Sequence, residues 1–212
     1  MPFSIPSLKR MAVAQAIAHP TDDLTKVSAQ VRNMSERMNF LEPVPDPSDG
    51  RGALLYRPGD CVTAAVAIRL WQAGMTDSNA FHGAVLRLNR WYLTDEFPDW
   101  KLGDPDPDTT EPPSPDKPYS PACFVLKDFC ETGAGWTLRL DVRRHSVTGE
   151  FRFAASLWRT IPEGEPDAGK TVALGNGSPI QDGWEPQSAH VIVLDSLLAQ
   201  IASSTIYRKK AH

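Results

Sequence analysis

The chain has 212 residues, 41% of them apolar and 23% charged, which is the usage of an ordinary globular protein with enough Leu, Val, Ile, Phe and Trp to bury a core. No apolar run approaches the ~20 residues of a membrane-spanning helix, and the N-terminal stretch lacks an apolar segment followed by a cleavage site, so a cytoplasmic location is expected. The net charge of −4 speaks against a nucleic-acid partner until the chain is divided.

Residues 1–93 hold ten Lys and Arg against eight Asp and Glu, a net of +2. Residues 94–121 hold two against eight, a net of −6, and residues 122–212 hold ten of each. The acidic excess therefore sits in one proline-rich segment, and the N-terminal part is free to meet phosphate. The three cysteines, Cys61, Cys123 and Cys130, are odd in number and have no paired spacing, which argues against a disulfide framework. Cys123 and Cys130 have no His nearby to complete a zinc site.

In chain order, Ser7 is placed to cap a first helix over residues 8–18, with Leu8, Met11, Val13 and Ile17 at helical spacing and Pro20 ending it. Thr21, Asp22 and Asp23 offer cap oxygens for a second helix over residues 24–39. Leu24, Val27, Val31, Met34 and Met38 form its apolar stripe. Lys26, Ser28, Gln30, Arg32, Asn33, Ser35 and Arg37 occupy much of the rest, and such side chains suit phosphates and base edges. The plainer reading of that face is a solvated helix surface.

Pro45, Pro47, Asp49, Gly50 and Gly52 are turn signals between two short extended pieces, so a hairpin with Arg51 at its tip is expected before Tyr56. Asp60 is placed to cap a third helix over residues 60–73, stopped by Gly74, and a fourth is expected over residues 79–92.

This order of helix, helix, Phe40-Leu41-Glu42-Pro43, Gly50-Arg51, Tyr56, Asp60 and Gly74 resembles the winged helix-turn-helix of the MerR family of bacterial regulators. The resemblance covers residues 8–75, about a third of the chain. Arg32-Asn33-Met34 stands where that family carries an arginine–tyrosine pair, and Ala53-Leu54-Leu55 stands where it carries a second wing arginine.

The resemblance implies a recognition helix in the major groove and a wing along the backbone or minor groove. Lys26, Arg32, Arg37, Arg51 and Arg57 would then neutralise phosphates, and Gln30 and Asn33 would read bases. The implied function is sequence-specific binding of double-stranded DNA by a transcriptional regulator of bacterial or prophage type. It implies a homodimer, and RNA polymerase or another regulator as a further partner. A non-enzymatic adaptor that uses the same fold to hold a protein is the alternative.

Residues 94–121 read as an acidic proline-rich linker. Beyond it, residues 122–126 read as a short strand or helix. Residues 136–143 alternate with period two, and residues 151–159 follow as the second strand of an antiparallel hairpin. Residues 162–186 read as a long loop, residues 189–194 as a buried-type strand, and residues 196–207 as a helix capped by Asp195.

The expected whole is α+β. A winged helix-turn-helix domain with extra helices spans residues 1–93, the linker 94–121, and a small antiparallel-sheet domain with a terminal helix 122–212. The last would serve dimerisation, through its strands and terminal helix, or act as a sensor with an apolar pocket lined by Trp136, Phe153 and Trp158.

No catalytic constellation stands out. His19, His82, His145, His190 and His212 are scattered, Gly175-Asn176-Gly177 lacks a following Gly-Lys-Ser/Thr, and Glu163 and Glu165 sit in a loop. No enzyme activity, metal or cofactor is expected.

Overall fold

The computed structural model describes residues 7–50, 52–89, 120–174 and 183–204. The first half runs β1 (Leu8–Lys9), α1 (Arg10–Ile17), α2 (Leu24–Glu36), β2 (Val44–Pro45), β3 (Leu54–Tyr56), α3 (Pro58–Gln72) and α4 (Ser78–Asn89). The second half runs α5 (Pro121–Thr132), β4 (Gly135–His145), β5 (Phe151–Thr160), β6 (Thr171–Leu174), β7 (Trp184–Val193) and α6 (Asp195–Ser203). The class is α+β, with helices beside two antiparallel sheets ordered β1-β3-β2 and β6-β5-β4-β7.

Leu8 and Lys9 are strand residues rather than the start of a helix, because their backbone pairs with Tyr56 and Leu55 of β3. Ser7 therefore caps nothing, and α1 follows Lys9 without a side-chain cap. In α2 the expected cap is present: Asp23 accepts from the amides of Thr25 at 2.8 Å and Lys26 at 3.4 Å. The helix stops at Glu36, short of residue 39, where Asn39 takes a left-handed φ of 53°.

Helix α3 begins at Pro58, two residues ahead of Asp60, since the fixed φ of proline suits a first helical turn. Residues 58–68 of this helix are all buried, and it packs against α1, α2, α4, α5 and α6. Gly59 is required by the close approach of α5, since a Cβ there would meet Ser120 Oγ at 2.5 Å.

The segment at 122–126 is helical. Ser120 Oγ accepts from the Cys123 amide, Pro121 opens α5, and Gly133 ends it with φ 73°. Residues 120 and 121, read as linker, thus belong to the start of a helix. The remainder of the linker and the end of the expected fourth helix lie outside the described residues.

The expected hairpin is β4–β5, in register from Gly135 opposite Thr160 to Arg144 opposite Phe151. The stretch read as one loop at 162–186 contains β6 and the start of β7, whose partners are supplied by β5 and β4. Strand β7 is an exposed edge strand rather than a buried one, with Val191 and Val193 61% and 60% exposed. Asp195 does not cap α6. Its carboxylate accepts from the Trp136 amide at 2.7 Å and ties the start of α6 to β4.

The register separates the three side chains expected to line one pocket. Trp136 and Phe153 share one sheet face, and Trp158, opposite Thr137, lies on the other. Trp136 is core, buried against Phe124. Phe153 lines an open groove with Leu70, Met75 and Ile192.

Buried apolar residues from Leu8 to Ile201 form one cluster drawn from both halves of the chain. The boundaries expected at residues 93 and 122 do not divide it into two cores. Gln200 of α6 donates to the carbonyls of Ala16 and Ala18 at 3.3 and 2.6 Å, joining the last described helix to the end of the first.

At the sheet, Arg159 donates to both carboxylate oxygens of Asp128 at 2.9 and 3.1 Å and to both of Glu165 at 3.0 Å. Trp136 Nε1 donates to Asp128 at 2.9 Å. Replacing Asp128 by Ala leaves a buried guanidinium and an indole N–H without this acceptor. The expected cost is ~3–5 kcal/mol in urea unfolding; a loss under about 1 kcal/mol would show that Glu165 alone satisfies Arg159.

Candidate nucleic-acid interface

The stripe expected on α2 is only partly buried. Val27, Val31 and Met34 face the core together with Ser28, while Leu24 and Met38 stay exposed. The outward side carries exposed Thr25, Lys26, Ala29, Arg32 and Glu36 and half-buried Asn33, with half-buried Gln30 at its margin beside the buried stripe. Arg37 is the exposed C-cap of the helix.

The hairpin beside this helix is β2–β3, pairing Val44 with Leu55 and Pro45 with Leu54. Tyr56 is buried, and its hydroxyl shares a 3.2 Å hydrogen bond with Ser35 Oγ, which holds β3 against the last turn of α2. Asp60 is a second fastening. Its carboxylate accepts from the amides of Arg57 at 2.7 Å and Glu42 at 3.4 Å, so the exit from α2 and the start of α3 share one acceptor. Burial pushes its pKa up, against the pull of those two amides. Asn89 continues the same seam, donating to the Phe40 carbonyl at 2.6 Å and accepting from Thr63 Oγ1 at 2.7 Å.

The tip of the hairpin is ordered by Asp46. It accepts from the Ser48 amide at 2.9 Å and the Ser48 hydroxyl at 2.6 Å. Lys9 on β1 reaches over to Asp49 at 3.3 Å and Asp46 at 3.6 Å. These contacts raise the pKa of Lys9, chiefly through Asp49, and lower that of Asp46, chiefly through Ser48.

Of the seven residues expected to contact DNA, Lys26, Gln30 and Asn33 share one helix face. Arg32 projects more than a quarter turn away from those three and pairs with Glu36 at 3.8 Å. Arg37 follows at the helix end, and Arg57 is half-buried at the N-cap of α3, beyond the hairpin. Arg51 lies outside the described residues. Among the described residues, Lys26 and Arg37 make no salt bridge.

Sequence reasoning missed Lys9, because its partners are about forty residues away and no local pattern marks it. No group of three or more metal-ligating side chains occurs among the described residues, and no described helix is long and apolar enough to cross a membrane. Comparison with known proteins finds no matching family model, curated protein or solved structure.

The Asp46 clamp has a defined pH dependence. The folded chain holds the Asp46 proton less tightly than the unfolded chain. Its contribution is therefore present above the ordinary carboxylate pKa and is lost as pH falls through the lower, folded value. An NMR titration of the Ser48 amide is expected to show a midpoint below the ordinary Asp value of about 3.9. A midpoint at or above that value excludes the clamp.

Proposed function

We propose that this protein is a sequence-specific double-stranded DNA-binding regulator of transcription, in which residues 8–75 act as a MerR-like winged helix-turn-helix. The observation that carries this reading is the pinned pair of α2 and the β2–β3 hairpin. Tyr56 and Ser35 hold the hairpin against the helix whose outward face bears Lys26, Gln30 and Asn33. The order β1–α1–α2–β2–β3–α3 with β3 central in a three-stranded sheet supports it further.

In this reading α2 enters the major groove and the hairpin lies along the neighbouring backbone. Lys26, Arg37 and Arg32 meet phosphates, the last by exchanging Glu36 for a phosphate oxygen, because an exposed ion pair is worth only ~0–1 kcal/mol. Gln30 and Asn33 carry the amide groups that bond adenine edges. Two copies read a two-fold symmetric site.

A second reading, an adaptor that holds a protein on the same surface, is favoured by one observation. Glu36 sets an acid on the exposed side of α2, where it pairs with Arg32, and Asp49 at the hairpin pairs with Lys9.

Selection of random duplexes with the purified protein at two salt concentrations separates the readings. The DNA reading expects one enriched motif and an affinity that falls steeply with salt. Lys26→Ala and Arg37→Ala are each expected to weaken binding to all sequences and to reduce the salt slope by about 1. Lys170→Ala, whose ammonium pairs with Asp167 on a remote turn, is expected to change neither. Weak binding without a motif, insensitive to Lys26 and Arg37, supports the adaptor.

A further inference from the structure

Strand β7 is an edge that is prepared for pairing. The sheet order β6-β5-β4-β7 leaves one side of its ten residues without a strand partner among the described residues. Proteins that stay monomeric blunt such an edge with lysine, proline, a bulge or short length. In β7 the blunting is confined to one end, where Pro186 lies beside the register shift at Val142/Arg143.

The following run, residues 187–193 (QSAHVIV), contains no Asp, Glu, Lys or Arg. It exposes Val191 and Val193 on one face. The opposite edge differs. Strand β6 has four described residues and follows a turn carrying the Lys170–Asp167 ion pair. Helix α6, the other element expected to serve association, has Leu197, Leu198 and Ile201 buried in this chain's own core.

We propose that β7 is the seam of a two-fold dimer, in which a second copy adds its own β7 antiparallel to this edge and the two four-stranded sheets become continuous. This rests on the DNA-binding reading only for its purpose, since that reading needs two copies. A second copy fits better than a different protein for two reasons. The uncharged run presents nothing that a charge-matched partner could read, and two identical uncharged strands meet without like-charge repulsion. Antiparallel pairing of identical strands is also isologous, so it closes at two copies. The fullest overlap of residues 187–193 centres on His190. It sets Val191 beside Ala189 of the other copy and Ile192 beside Ser188 of the other copy.

The test is sedimentation of the full chain without DNA, from micromolar to millimolar concentration. Wild type is expected to sediment as a dimer. Val191→Lys changes an exposed side chain and is expected to sediment as a monomer with an unchanged far-UV circular dichroism spectrum. Under oxidation, His190→Cys is expected to give a covalent dimer at the seam, while Val147→Cys, on a turn and 86% exposed, gives none above wild type. A wild-type monomer across the range overturns the proposal. So does a dimer that survives Val191→Lys and is not trapped by His190→Cys. A monomer that still selects a duplex motif defeats the seam alone; a β7 dimer that selects none defeats the DNA reading alone.

Discussion

Helix α3 is apolar on nearly every side, and the fold consists largely of the elements that cover it. A helix with one apolar stripe needs one neighbour; a helix buried through residues 58–68 needs several. Helices α1, α2 and α4 supply part of that cover from the first half of the chain, and α5 and α6 supply the rest from the second. The cost of exposing Val62, Val66, Ile68 and Leu70 would fall at ~1.5–3 kcal/mol for each large side chain. That penalty makes the two halves one packed unit, even though a proline-rich acidic sequence separates them. Gly59 and Gln200 reflect the same constraint: one permits the close approach of α5, and the other bonds α6 to the end of α1.

The proposed interface inherits its rigidity from that helix. Asp60, in the first turn of α3, accepts from amides on either side of the hairpin, and Tyr56, two residues before α3, reaches Ser35. The hairpin is short, and two-residue pairings such as Val44–Pro45 with Leu54–Leu55 do not persist alone. Its position depends on these side-chain fastenings and on the pairing of β3 with β1. The electrostatics are mixed for the same reason. Acids at the tip, Asp46 and Asp49, pair with Lys9, and Glu36 pairs with Arg32 on α2. Lys9, Lys26 and Arg37 are all exposed, and of these three Lys9 is the one in a salt bridge among the described residues.

The four-stranded sheet has two unlike faces. Trp136, Leu138, Leu140 and Leu157 are buried on the helix side, where Asp128 and Arg159 satisfy one another and the indole of Trp136. The other face bears Arg139, Asp141, Trp158 and Val191, with Arg139 and Asp141 paired at 2.8 Å. At the far end of that face the guanidinium of Arg152 lies over Trp184, 4.4 Å from the ring centroid. Strand β7 borders this face, and most of its residues are exposed.

Much of the secondary structure was legible in the sequence because it rests on local rules. Asp23 before an amphipathic run made α2, strict alternation at 136–143 made β4, and Gly74 followed α3 as a stop. The residue types on the outer face of α2 were legible too, since helical spacing places them there. Tertiary structure alone decided the rest. Leu8 and Lys9 became a strand because β3, nearly fifty residues later, offered them partners. The 162–186 stretch acquired β6 and the start of β7 from neighbours, and Asp195 gave its carboxylate to Trp136 instead of capping α6. Lys9 entered the hairpin through Asp49, forty positions away, and Trp158 was parted from Trp136 by strand register. Periodicity reports what a residue's near neighbours allow; pairing across the chain decides which strands meet, which carboxylate is engaged and which cation is paired.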